Sequence, residues 1–136
     1  MTSRLILIRH GKTYWNDERR YQGHTNIELN HEGIRQALNL QRRLKDVKLD
    51  AVYSSDLSRA YKTAEIIAEP HGLRVQIAPG LREINFGEWE GLTYTELLRN
   101  YPHELKLWQE NPQELRLPQG ETFSQVRDRA VAEVQS

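Results

Sequence analysis

The run Leu5-Ile6-Leu7-Ile8 restricts what this chain can fold into more than any other stretch. Consecutive large aliphatic residues, alternating with β-branched ones, predict a strand buried on both faces, as in a parallel sheet covered by helices. The run stops abruptly at Arg9-His10-Gly11, a cation, an imidazole and a residue without a side chain. Ligands of parallel α/β sheets bind beyond the carboxyl ends of the strands. A buried strand delivering this triplet therefore points to chemistry at its tip.

The rest of the chain alternates in the same way. Residues 10–30 lack sustained periodicity, and an irregular stretch of that length in a small domain reads as a functional loop. Asn30 is positioned to cap a helix whose inward stripe is Ile34, Leu38, Leu44 and Val47, with Leu40 beside it. Ala51-Val52-Tyr53 reads as a short strand ending at Ser54-Ser55. A helix starting near Asp56 carries Leu57, Ala60, Ala64 and Ile67 at helical spacing and ends at Pro70 and Gly72. Arg74–Ile77 is the third strand. Thr93 to Glu96 is a capping box, Pro102 suits the first turn of another helix, and Thr122 opens a last one with Phe123, Val126, Ala130 and Val134 facing inward. This order predicts an α/β fold, a three-layer α/β/α sandwich with a mostly parallel sheet.

Composition narrows the function. The 136 residues make one domain, spanning 1–136. Acidic and basic residues balance at 19 each, so no global field draws the protein to nucleic acid or to an anionic membrane. Absence of cysteine excludes a thiolate nucleophile, a disulfide framework and a cysteine-based zinc site. Met1-Thr2-Ser3-Arg4 leads into too few apolar residues for a signal peptide or a membrane span, which makes the cytoplasm the expected location. His24, His31, His71 and His103 lack metal-ligand spacing and read as surface residues. Trp108, Tyr94 and Tyr101 read as helix packing, and the charges from Arg42 to Lys48 as a solvated face.

Ordered blocks along nearly the whole chain resemble the histidine phosphatase, or phosphoglycerate mutase-like, superfamily. They are Arg9-His10-Gly11-Lys12-Thr13 with Trp15-Asn16 and Arg20-Tyr21-Gln22-Gly23, then Leu29-Asn30 with Gly33 and Gln36-Ala37. Ser54-Ser55-Asp56-Leu57-Ser58-Arg59-Ala60 with Thr63-Ala64 follows, and then Leu81-Arg82-Glu83-Ile84 with Phe86-Gly87 and Trp89-Glu90-Gly91. The resemblance implies a metal-independent phosphomonoesterase that needs no cofactor and acts on a small phosphate ester through a phosphohistidine.

The residue chemistry agrees with that implication. Imidazole attacks phosphorus only through a neutral nitrogen, and cationic Arg9 and Arg59 beside His10 would lower its pKa and keep it neutral. Its other nitrogen then needs an acceptor, expected to be a backbone carbonyl. Arg9 and Arg59 offer planar donor forks that match phosphoryl oxygens. Arg59 falls in the first turn of a helix, an unfavourable place for a cation unless an anion binds there. By resemblance Asn16 contacts phosphate, Gln22 and Gly23 belong to the loop closing on substrate, Thr13 orders the phosphate loop, and Glu83 is the general acid. Leu81, Ile84 and Phe86 are expected to form an apolar wall around Glu83, with Glu88 and Glu90 as its nearest rivals.

One family block has no counterpart. Members continue past the last helix into a strand with a second active-site histidine, whereas this sequence stops at Gln135-Ser136. The expectation is a C-terminally truncated domain or, if the chain is complete, weak activity or a swapped homodimer. Mutases of the family carry a long insertion between the acid and a Gly-Glu-(Ser/Thr) block. Here Gly120-Glu121-Thr122 follows Glu83 closely, which favours the phosphatase branch, whose small members include alpha-ribazole phosphatases. The alternatives are a phosphoglycerate mutase-type transferase and a noncatalytic phosphate-ligand binding protein.

Overall fold

Helix starts in this protein are set by side chains that satisfy the first free N–H groups. The computed structural model describes residues 3–136; Met1 and Thr2, part of the short polar start, lie outside the described residues. In order it contains α1 (Tyr14–Asp17), α2 (His31–Leu44), β1 (Val52–Ser54), α3 (Ser58–Ala68), β2 (Val75–Ile77), α4 (Tyr94–Asn100), α5 (Pro102–Glu110) and α6 (Phe123–Gln135). Short 3-10 turns cover Glu69–His71, Pro79–Leu81, Gly87–Trp89 and Pro112–Glu114. Asn30 caps α2 by accepting from Gly33 N at 2.8 Å. Thr93 with Glu96 and Thr122 with Gln125 form the capping boxes of α4 and α6, and Pro102 opens α5.

One helix start is new and another is refined by two residues. Thr13 and Asn16 make an unforeseen capping box for α1, so the loop after His10 contains a helical turn. Helix α3 begins at Ser58, after Leu57, which provides no side-chain cap. Asp56 is not the cap because its carboxylate is taken by Arg82 at 2.7 and 2.5 Å. The orphan N–H of Ser58 is met from outside the helix by Asn26 Oδ1 at 2.8 Å.

The fold is α/β. Strands β1 and β2 pair in parallel with Val52 opposite Val75 and Ser54 opposite Ile77. Helix α3 packs on both strands and α2 packs on α3. Ala64, Ala68 and Val75 form the small core beneath the sheet, with Val52, Tyr61 and Leu73 around it. A second, aromatic core gathers Ile84, Phe86, Trp89, Leu97, Leu105, Leu115 and Leu117.

Leu5–Ile8 departs from the expectation. Among the described residues it forms no strand, and its side chains are exposed, Leu5 by 67% and Leu7 by 82%. A strand exists only through a ladder, and the described sheet is β1 with β2 alone. The inward stripes are also narrower than predicted. In α2 the buried residues are Gly33 and Ala37 while Leu38 is partly exposed, and in α6 Phe123 and Val134 are exposed.

Candidate active site

Tight packing of glycine against glycine brings the tip of the first segment to the body of the protein. A Cβ on Gly11 would lie 2.5 Å from Gly33 O and 2.9 Å from Gly33 Cα, so only glycine admits this approach to the start of α2. Gly11 N donates to Thr63 Oγ1 at 3.2 Å, and Lys12 N donates to Gln36 Oε1 at 2.9 Å. The tip is thereby tied to both α2 and α3.

His10 is half-buried, and its Nδ1 lies 2.6 Å from Gly11 O. Only an N–H can make that contact to a carbonyl, so Nδ1 carries the proton and Nε2 presents its lone pair. The carbonyl acceptor expected from sequence is therefore Gly11. Burial is the chief influence holding the imidazole below its ordinary pKa, with the charges of Arg59 and Arg9 acting in the same direction. The hydrogen bond to Gly11 and the carboxylate of Glu83 act against them. The guanidinium groups, expected from sequence to be the main cause, are thus secondary to desolvation.

Arg9 is exposed, and with His10, Gln36, Asn39 and Arg43 it lines a cavity of about 420 Å³. Arg59 behaves differently. It is 1% exposed, and its Nη1 donates to Thr25 O at 2.7 Å and its Nη2 to Gly23 O at 2.5 Å. Its place in the first turn of α3 is as predicted, but where a phosphate clamp is expected two of its fork donors hold the Gly23–Thr25 loop.

The same loop is gripped from the other side by Glu90, which accepts from His24 N at 3.1 Å, Thr25 N at 2.8 Å, Thr25 Oγ1 and Phe86 N at 3.1 Å. That occupation makes Glu90 a structural anchor and removes it as a rival to Glu83. Glu88 is likewise engaged, accepting from Tyr101 at 3.0 Å. Gly23 has φ +58°, and a Cβ there would meet the Glu90 carboxylate and Phe86 N. Its glycine requirement comes from this packing, not from a ligand's approach.

Thr13, wholly buried, donates from Oγ1 to Gln22 Oε1 at 2.7 Å, and its N–H donates to Asn16 Oδ1 at 2.9 Å. This leaves Asn16 Nδ2 without a partner among the described residues. Glu83 is exposed, with Oε1 accepting from Ile84 N at 2.8 Å. The apolar wall expected around it is absent, because Ile84 and Phe86 turn into the aromatic core. Its carboxylate still acts electrostatically on both His10 and Arg59.

His24, expected at the surface, is only partly so. It is half-buried, with Nε2 2.9 Å from Glu83 O and 3.5 Å from Glu121 Oε1. Sequence carried a partial signal for it, since it directly follows the Gln22-Gly23 block. Arg129, on α6, was not singled out at all, yet it reaches Glu83 O at 2.8 Å.

The site is thus a half-buried imidazole near guanidinium groups on an α/β frame. The chain belongs to the histidine phosphatase superfamily (branch 1), whose family model matches residues 5–136. It is 40% identical to phosphoglycerate mutase-like protein 4 of Arabidopsis thaliana over 96% of this chain and 58% of that protein. It is 37% identical to phosphoserine phosphatase 1 of Hydrogenobacter thermophilus over 93% of this chain and 60% of that protein. Among solved structures, Bacillus stearothermophilus YhfR superposes with a TM-score of 0.89 at 38% identity, covering 93% of this chain and 63% of that one. A putative alpha-ribazole-5'-P phosphatase from Escherichia coli gives a TM-score of 0.85 at 34% identity, over 94% of this chain and 63% of that one. The chain thus spans about three-fifths of the length of these relatives. Among the described residues, no helix is long and apolar enough to cross a membrane.

Proposed function

We propose that the protein is a phosphomonoesterase acting on small phosphorylated metabolites through a phosphohistidine on His10. The observation that carries this reading is the hydrogen bond from Nδ1 to Gly11 O at 2.6 Å, which leaves Nε2 as the nucleophilic nitrogen of a ring held neutral by burial. In the first step the Nε2 lone pair forms a bond to phosphorus while the bond from phosphorus to the ester oxygen breaks. Glu83 gives its proton to that leaving oxygen, which departs as an alcohol. In the second step water attacks phosphorus, the P–N bond breaks, and Glu83 takes up the water proton as inorganic phosphate forms.

Arg9 and the free Nδ2 of Asn16 are the direct donors to the phosphoryl oxygens. Arg59 supplies positive charge from beneath and keeps the Gly23–Thr25 loop in place. Hydrolysis over mutase-type transfer is supported by the short spacing from Glu83 to Gly120-Glu121-Thr122, and by the phosphatase names of several relatives. The balanced charge of the chain and this small polar site fit a soluble metabolite of the cytoplasm.

The test is incubation with a ³²P-labelled phosphate monoester followed by acid and base treatment. An acid-labile, base-stable label that His10→Ala abolishes is expected. Absence of label across varied monoesters, or label retained in His10→Ala, would falsify the phosphohistidine. Transfer between 2- and 3-phosphoglycerate faster than phosphate release would replace the phosphatase with the mutase.

A further inference from the structure

The carboxyl proposed to protonate the leaving group is exposed on an irregular segment between two 3-10 turns, where the one local hold on it is the N–H of the next residue, Ile84. A general acid must sit within hydrogen-bond reach of the atom it serves, so something must hold this segment. Arg129 of α6 does so with all five of its N–H donors. Nη1 donates to Gly80 O at 2.8 Å and to Arg82 O at 2.7 Å, and Nη2 donates to Glu83 O at 2.8 Å. The remaining donors, Nε and the second N–H of Nη2, hold the two oxygens of Glu121 at 2.8 Å each. Glu121 in turn accepts from Asn85 N at 2.8 Å, while its own N–H donates to Asn85 O at 2.8 Å. Gly80 N is further tied to Glu133 Oε1 at 3.0 Å, and His24 approaches Glu83 O from the substrate loop.

The backbone from 80 to 85 is therefore fastened on both sides of Glu83, from a helix far away in sequence. Two of the three carbonyls held belong to Glu83 and the residue before it, so the guanidinium fixes the backbone on which that exposed carboxyl stands. Lysine cannot reproduce the arrangement, having a point charge and no planar fork.

We propose that Arg129, held by Glu121, is a positioning residue that sets the Glu83 carboxyl for proton delivery to the leaving oxygen. This inference rests on the assignment of Glu83 as the general acid.

The experiment compares Arg129→Gln, Arg129→Lys and Glu121→Gln with the parent in the full chain, on two substrates. An alkyl phosphate needs its leaving oxygen protonated, whereas p-nitrophenyl phosphate expels a stable phenolate and does not. Positioned acids contribute roughly 10²–10⁴-fold, so misplacing one should lower kcat on the alkyl ester by about 10–100-fold and on the aryl ester by less than about threefold. Glu83→Gln should show the same selectivity, and adding Arg129→Gln to it should cost little more. Equal losses on both substrates, or full additivity with Glu83→Gln, overturn the positioning role while leaving the phosphatase reading intact. Failure of the parent to hydrolyse either substrate overturns both. Glu121→Gln retains every side-chain volume, so it decides the matter if the Arg129 variants do not fold.

Discussion

Around Trp89 the protein is built densely from large aromatic and aliphatic groups, whereas around Val75 it is built thinly from small ones. Trp89 is fully buried and meets Tyr21, Tyr101 and Trp108 at ring-centroid distances of 5.8, 6.3 and 6.3 Å. Phe86 and Phe123 add further edge and stacked contacts with Trp108. Most of these groups lie between residues 84 and 126, so the loops that close this core are short and their entropic cost is modest. The sheet side relies on two three-residue strands and a core of alanines and one valine. Tyr53 and Ile77 of its strands remain exposed, as do Leu5 and Leu7 of the first segment. The candidate site lies where the dense half reaches across the thin one. Tyr21 N and Gly91 N exchange backbone bonds with Leu92 O and Tyr21 O at 3.1 and 2.8 Å, and Glu90 extends from the aromatic side to grip the Gly23–Thr25 loop. Order in the site loop is therefore inherited from the aromatic core.

The largest effect follows directly from that inheritance. Trp89→Ala should lower unfolding free energy by about 3–5 kcal/mol, read from the urea midpoint, as for other large core truncations. It should also reduce protection of the His24 and Thr25 amides in hydrogen exchange. A loss near 1 kcal/mol would mean that the aromatic half is not the denser one. Gly23→Ala comes next. Its left-handed φ and the collision of a Cβ with Glu90 and Phe86 should cost on the order of 1–3 kcal/mol and release the Arg59 and Glu90 anchors together. A neutral result would show that the loop accommodates the methyl, and that the link between halves is looser than the hydrogen bonds suggest.

How far the molecule could be read in advance follows the same division. Helix starts governed by a neighbouring side chain were legible, as Asn30, Thr93, Pro102 and Thr122 show, because a cap acts within four residues. The His10 tip and its carbonyl partner were legible too, since an adjacent residue supplies the acceptor. The exposure of Leu5–Ile8 was not legible, because strand formation depends on a ladder partner that local pattern cannot supply. Arg129 and His24 escaped notice for a related reason. Apart from Glu121, their partners are backbone carbonyls at Gly80, Arg82 and Glu83, and a carbonyl leaves no mark on residue identity. Arg59 was recognised by its block, but a residue type cannot say whether its fork faces a ligand or a loop.

A smaller effect checks the thin half. Leu7→Ser replaces a side chain that is 82% exposed, so stability should move by no more than about 0.5 kcal/mol. A cost of roughly 2 kcal/mol would show that this face is covered in solution, and the contrast between the halves would shrink accordingly.

The smallest effect separates the two influences on His10, since one belongs to packing and the other to an exposed charge. Burial and nearby cations both hold its folded pKa below the ordinary value of about 6.5. The unfolded chain therefore takes up this proton first as pH falls. Stability owed to neutral His10 is complete above about 6.5, and it declines as pH drops from there toward the lowered folded value. Arg9→Gln removes an exposed cation and should raise the His10 midpoint by a fraction of a unit, read by NMR titration of the imidazole C2 proton. In about 1 M salt the screening length falls to roughly 3 Å, so the parent's midpoint should rise toward that of the variant, because an exposed charge is screened and desolvation is not. A midpoint that ignores both salt and the substitution would assign the whole depression to packing, leaving Arg9 no electrostatic hold on the nucleophile.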